Sequence, residues 1–285
     1  MSSMKTVILM AGLAGLLMFI GGLVAGNQGV VIAFILALGM NLLSYWFSDK
    51  LVLSMYRAQE VSAHDAPELH EMVRQLSERA GLPMPRVYII PTDTPNAFAT
   101  GRNPEHAAVA VTQGIMRMLS KDELSGVLGH ELAHVKNRDI LIQTIAATFA
   151  SAISFLAYMA RWGAIFGTGG RDDNRSGGIV GLIVMATVAP IAATLIQLAI
   201  SRSREFMADA AGAEISGQPL SLAHALQKLH DGIQRHPMVS TPSHNATAHL
   251  FIMMPFSAKG MASLFSTHPS TEERIARLHQ LARQY

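Results

Sequence analysis

The sequence predicts a mostly α-helical membrane protein with a small β-sheet: four transmembrane helices, and a polar, helix-rich domain built from two stretches of chain. Three observations predict it. Half of the 285 residues are apolar and 15% are charged, which lifts the mean hydropathy above that of an ordinary soluble domain. Uncharged windows occur that are long enough, at about 20 residues each, to cross a hydrocarbon core of roughly 30 Å as helix. What lies outside them carries the punctuation of amphipathic helices and short strands.

From Thr6 to Ser48 there is no charged side chain, and the run is broken only at Gly26, Asn27, Gln28 and Gly29. A turn-forming cluster in the middle of an apolar run reads as two spans and a tight turn. A second span following at once argues against a cleaved signal peptide. Ile140 to Ala160 and Ser176 to Ser201 supply two more windows, the latter with Pro190 as a kink. The alternative for these two is a pair of buried core helices. Lys5, Lys50, Arg57, Lys136, Arg138, Arg202 and Arg204 fall on one side of this arrangement, which the positive-inside rule makes the cytoplasm. Arg161, Arg171 and Arg175, offset by Asp172 and Asp173, weaken that assignment for the second hairpin. The expected organisation is a helical hairpin over 1–48, the first part of the polar domain over 49–139, a second hairpin over 140–201, and the rest of the polar domain over 202–285.

Within 49–139, Pro67 to Ala80 reads as an amphipathic helix with proline in its first turn. Arg86 to Ile90 reads as a strand, as do Phe98 to Thr100 and Ala107 to Val111, the last two joined through Gly101, Asn103 and Pro104. Ser120 and Glu123 form a capping box, and Leu124, Val127, Leu128 and Val135 repeat helically behind it. Residues 236–265 read as an irregular loop.

That capped helix contains His130-Glu131-Leu132-Ala133-His134. Side chains four apart share a helix face, so both imidazoles can reach one ion, while Glu131 lies beside a water position. The chain has no cysteine, so a third ligand must be His or a carboxylate. Glu205, in Arg204-Glu205-Phe206-Met207-Ala208-Asp209, returns to the same membrane edge as His134 and is the candidate, with Asp209 next in line. Asp209, one turn on, and Asp139 suit acceptors for a ligand imidazole. Asp139 alternatively ends the polar helix. His268 precedes Pro269 and a second capping box, Ser270 to Glu273, placing His268 and Arg274 at a fixed helix start; they serve either as oxyanion donors or as a simple cap. His224, His230, His236, His244 and His249 share no spacing with a carboxylate. A transporter would want ionisable groups inside the spans, and none is there. No Lys/Arg run marks a nucleic-acid partner.

HELAH, a hydrophobic hairpin, EFMAD, HPS near the end, and NAFATG over 96–101 together resemble the bacterial HtpX-type membrane proteases. More distantly they resemble the CAAX prenyl-protein endopeptidases. The resemblance implies a zincin-like cytoplasmic metalloprotease domain holding one Zn2+ per chain, in the bacterial inner membrane. It implies quality control of misfolded or damaged membrane proteins under stress, with self-cleavage. Carried over, His130, His134 and Glu205 are zinc ligands, Glu131 is the catalytic base, Asp209 stands behind a ligand, and His268 and Arg274 stabilise the transition state. Asn96, Ala97, Phe98, Ala99 and Thr100 form the substrate-binding strand.

Overall fold

The computed structural model describes residues 2–145, 202–235, 250–253 and 269–284. Most of the predicted second hairpin, most of the 236–265 loop, and His268 lie outside the described residues.

The first helix, α1 (Ser2–Met55), is folded back on itself. Gly26 has φ +57, a left-handed conformation that costs glycine little. The Asn41 side-chain amide donates to the Met10 carbonyl at 3.4 Å. Thirty-one residues of straight helix would separate them by about 46 Å. Gly21 meets the backbone of Gly29 so closely that a Cβ would lie 2.3 Å from its carbonyl oxygen. This is the predicted turn. Among the described residues, one segment, Gly26–Phe47, is long and apolar enough to cross a membrane, and Met10–Phe19 is a shorter apolar helix. Phe34, Ile35, Leu36, Leu43 and Phe47 point outward and are at least half exposed.

The helix runs on past residue 48 to Met55, and its last turns become part of the polar domain. Val52, Leu53 and Tyr56 are buried against one face of a four-stranded sheet. The strands are β1 (Gln59–Glu60), β2 (Arg86–Ile90), β3 (Ala97–Gly101) and β4 (Ala107–Thr112). Their order is β1-β2-β4-β3. β2 and β4 are parallel, while β1 on β2 and β3 on β4 are antiparallel. β3 is therefore an edge strand, in register Phe98 to Ala110 and Ala99 to Val109. Alternation sends Tyr88, Ile90, Phe98, Ala108 and Ala110 toward α1, and Val87, Ala97, Ala99, Val109 and Val111 toward the helices.

The helical side comprises α2 (Pro67–Ala80), α3 (Gln113–Met118), α4 (Lys121–Lys136), α5 (Arg202–Ser216), α6 (Pro219–Arg235) and α7 (Thr271–Leu281). α2 buries Leu69, Val73 and Leu76 and ends at Gly81, φ +68. The capping box at Ser120 and Glu123 is present, so α4 starts where its sequence says.

α4 crosses α5 with backbones in contact. A Cβ on Gly129 would sit 2.7 Å from the Gly212 carbonyl oxygen, and one on Gly212 would sit 2.6 Å from the His130 nitrogen. Neither neighbour can move without moving a helix. Gly212→Ala is expected to cost about 1–3 kcal/mol as overpacking and to spread the two helices; a Tm equal to the parent's would refute this role for the contact.

On β2, the Tyr88 hydroxyl donates to Glu60 at 2.7 Å. Burial, helped by that bond, pushes Tyr88 up to about 12. The folded chain then holds this proton more tightly than the unfolded one, where tyrosine titrates near pH 10. The stabilisation is complete below about pH 10 and is lost as pH rises toward 12. Alkaline melting curves should therefore fall less steeply for Tyr88→Phe; identical slopes in that window would disprove the assignment.

Candidate metal centre

The helix crossing sets two halves of a site face to face. His130 and His134 project from one side of α4, one turn apart, and Glu205 and Asp209 project from α5, also one turn apart. Ligand atoms of His130, His134 and Glu205 all lie within 4.8 Å of one another, and all three residues are buried. Glu205 is 3.5 Å from His134 Nε2 and 3.9 Å from His130 Nε2. Tetrahedral zinc with bonds of about 2.1 Å spaces its ligands roughly 3.4 Å apart, close to these values. Among the described residues this is the one group of three such side chains able to share an ion.

Both imidazoles turn Nε2 toward this point because a carboxylate stands behind each Nδ1. Asp209 lies 2.9 Å from His130 Nδ1, and Asp139 lies 3.5 Å from His134 Nδ1. Asp139 is thus turned into the protein, 4% exposed, with Arg204 at 3.7 Å. Arg274, from the first turn of α7, is fully enclosed. Its Nε and Nη2 donate to Asp209 at 2.9 and 2.7 Å, and its Nη1 donates to the Ile252 carbonyl at 2.9 Å.

The buried charges decide what fits here. Glu131, Glu205, Asp209 and Asp139 face Arg274 and Arg204, all six buried. With all four carboxylates ionised and both imidazoles neutral, the state in which this site can hold a metal, the two guanidiniums leave two negative charges uncompensated. Unbalanced buried charge is costly, and a divalent cation balances it. Burial drives His130 down to about 4 against the pull of Asp209, leaving the neutral imidazole that a metal requires. His134 is raised: burial opposes its charged form, but Asp139, Glu205 and Glu131 outweigh it. Asp209 is held near 2, since Arg274 and His130 overcome the effect of burial. Burial, with Glu205 adding repulsion, pushes the Glu131 carboxyl up to about 8, and a divalent cation in the cavity would favour its ionised form.

Glu131 lies one residue around the helix from His130 and lines the same small cavity, with Gln143. Its Oε2 accepts from the Ala99 backbone N–H at 2.9 Å, tying α4 to the edge strand. Asn96 bonds through its side chain to the Met253 carbonyl at 2.8 Å, and the Thr100 and Thr144 hydroxyls meet at 3.0 Å. The NAFATG stretch therefore runs directly past the centre.

Residues 63–282 match peptidase family M48. The chain belongs to that family. It is a metallopeptidase, with a buried His-His-Glu metal site. It is 58% identical over 284 residues to a protein named Protease HtpX homolog from Syntrophobacter fumaroxidans, covering 98% of this chain and 99% of that one. A protein of the same name from Thermococcus kodakarensis is 56% identical over 281 residues, 99% and 96% of the two chains. Among solved structures, S. mikatae Ste24p superposes with a TM-score of 0.53 at 18% identity. It is matched over 94% of this chain, which spans 62% of that protein's length. That likeness is one of fold.

Sequence reasoning did not reach Gln143, Arg204's contact with Asp139, the glycine crossing, or the approach of Leu250, Phe251 and Ile252 to the cavity. Glycines one residue before His130 and three after Asp209 were the available signal for the crossing. Nothing in the 250–253 residues themselves marks their neighbour.

Glu205→Ala is expected to strip zinc from the purified protein, and Asp209→Asn to weaken it by roughly 10- to 100-fold. Full zinc by elemental analysis in Glu205→Ala would move the third ligand elsewhere.

Proposed function

We propose that the chain is a membrane-anchored zinc endopeptidase that cuts polypeptides at the cytoplasmic rim of the inner membrane, misfolded membrane proteins among them. The observation that carries this reading is the buried His130, His134, Glu205 group sharing a cavity with Glu131 beside an edge strand. Anchoring is supported by the apolar Gly26–Phe47 segment with its exposed Leu and Phe side chains. The cytoplasmic orientation, the four-span organisation and the quality-control role rest on charge placement and on the likeness to the HtpX homologs.

In this reading His130, His134 and Glu205 hold the metal, while Asp209 and Asp139 fix the imidazoles in the tautomer that leaves Nε2 free to bind. Zinc held there supplies Lewis acidity, making water acidic enough to attack near neutrality and polarising the scissile carbonyl. Glu131 takes the proton of the attacking water on its carboxylate and delivers it to the leaving amine nitrogen. Substrate backbone adds along β3, where main-chain pairing grips any sequence. His268 and Arg274 are the donors assigned to the developing oxyanion.

Glu131→Gln should keep its zinc and lose casein cleavage by at least about 100-fold. Normal turnover in that variant would remove Glu131 as the base. Self-nicking during purification of the parent should stop on adding chelator, and nicking that continues without metal would point to a contaminating protease.

A further inference from the structure

One backbone group of the strand that the proposed function assigns to substrate is already in use. The Ala97 carbonyl, on the free edge of β3, accepts from the Ile252 N–H at 3.1 Å. The Asn96 amide donates to the Met253 carbonyl at 2.8 Å, and Arg274 Nη1 donates to the Ile252 carbonyl at 2.9 Å. Each of these bonds goes to the main chain of a four-residue segment, Leu250 to Met253, that borders the metal cavity. Its one aromatic side chain is anchored beside the strand. Phe251 is fully buried, edge-on to Tyr56 at 4.9 Å and to Phe98 at 5.3 Å between ring centroids.

One main-chain bond to an edge strand, two side-chain donors on the segment's carbonyls and one side chain in an apolar slot are the contacts by which a sheet edge can hold a peptide. We infer that Leu250–Met253 is an internal peptide seated in the protein's own substrate cleft, and that a polypeptide must displace it to be cut. The slot between Tyr56 and Phe98 is then a subsite for a large apolar, preferably aromatic, side chain of the substrate. Displacement also frees Arg274 Nη1 for the incoming chain. Folded proteins cannot lend an extended strand to compete for this edge, whereas unfolded segments can, so the occupant filters substrates by conformation. It does so by lowering the apparent affinity in proportion to the fraction of molecules in which the edge is open. This inference rests on the endopeptidase reading.

The test uses the full chain in detergent, zinc content checked, with permanently unfolded casein as probe. In Glu131→Gln, hydrogen exchange at residues 250–253 should be slow alone and should accelerate when casein saturates the protein. Protection retained with casein bound would overturn the inference. Two variants weaken the occupant independently: Phe251→Ala empties the slot, and Ile252→Pro removes the N–H that bonds to Ala97. Either should tighten casein binding by about tenfold with zinc unchanged, and binding that is unchanged or weaker in both would count against displacement. A peptide pair differing by Phe or Gly reports on the slot, with equal binding refuting the subsite. If the unaltered chain, fully loaded with zinc, cuts neither casein nor itself, the endopeptidase reading fails and takes this inference with it. If it cuts casein while the occupant variants bind no better, the inference alone fails.

Discussion

The contact between Gly129 and Gly212 governs the rest of the molecule. Two helices can touch backbone to backbone only where neither carries a Cβ, and this contact falls at the residue before His130. The consequence is metric. With α4 and α5 this close, short side chains such as His and Glu can converge on one point, and Asp209 can reach the far nitrogen of His130 at 2.9 Å. A wider crossing would demand longer ligands and leave room for water. Packing and chemistry share one geometric condition here, and the capping box that fixes the start of α4 sets the rotation at which it is met.

A second constraint is electrostatic. Six buried ionisable side chains cluster around this crossing, and a cluster of that kind is stable only when its charges are opposed and its hydrogen bonds made. Arg274 does most of the opposing, since one guanidinium spans both oxygens of Asp209 and a main-chain carbonyl. Because α7 delivers Arg274 from the far end of the sequence, the centre is closed only when the last helix has docked. The arrangement therefore couples completion of folding to completion of the site.

Much of this was legible in the sequence because its signals are local. α2 and β2 have the bounds that their periodicity and proline placement give, and β3 and β4 extend the expected strands by one or two residues. His130, Glu131 and His134 announce themselves by spacing, and Glu205 by its place after the second hairpin, at the same edge as His134, once the absence of cysteine leaves only His or a carboxylate. What stayed hidden depends on partners far away in the chain. The Gly129 and Gly212 contact joins residues 83 positions apart. The seat of Phe251 is made by Tyr56 and Phe98, and no pattern within 250–253 encodes either. The two-residue β1 is too short to show alternation. Likewise, a charge change at residue 49 marks where apolar composition ends, yet the helix continues to Met55 because Val52, Leu53 and Tyr56 find a sheet to cover.

That continuation gives α1 a second duty. The segment that reads as an anchor is also the floor of the sheet: Tyr88, Ile90, Phe98, Ala108 and Ala110 rest on its final turns. A proteolytic fragment cut at the apparent edge of the bilayer would keep every chemically active side chain and still lose the long helix that holds those turns in place. The apolar helix and the floor of the sheet are thus one continuous element, so the position of the sheet is tied to that of the helix.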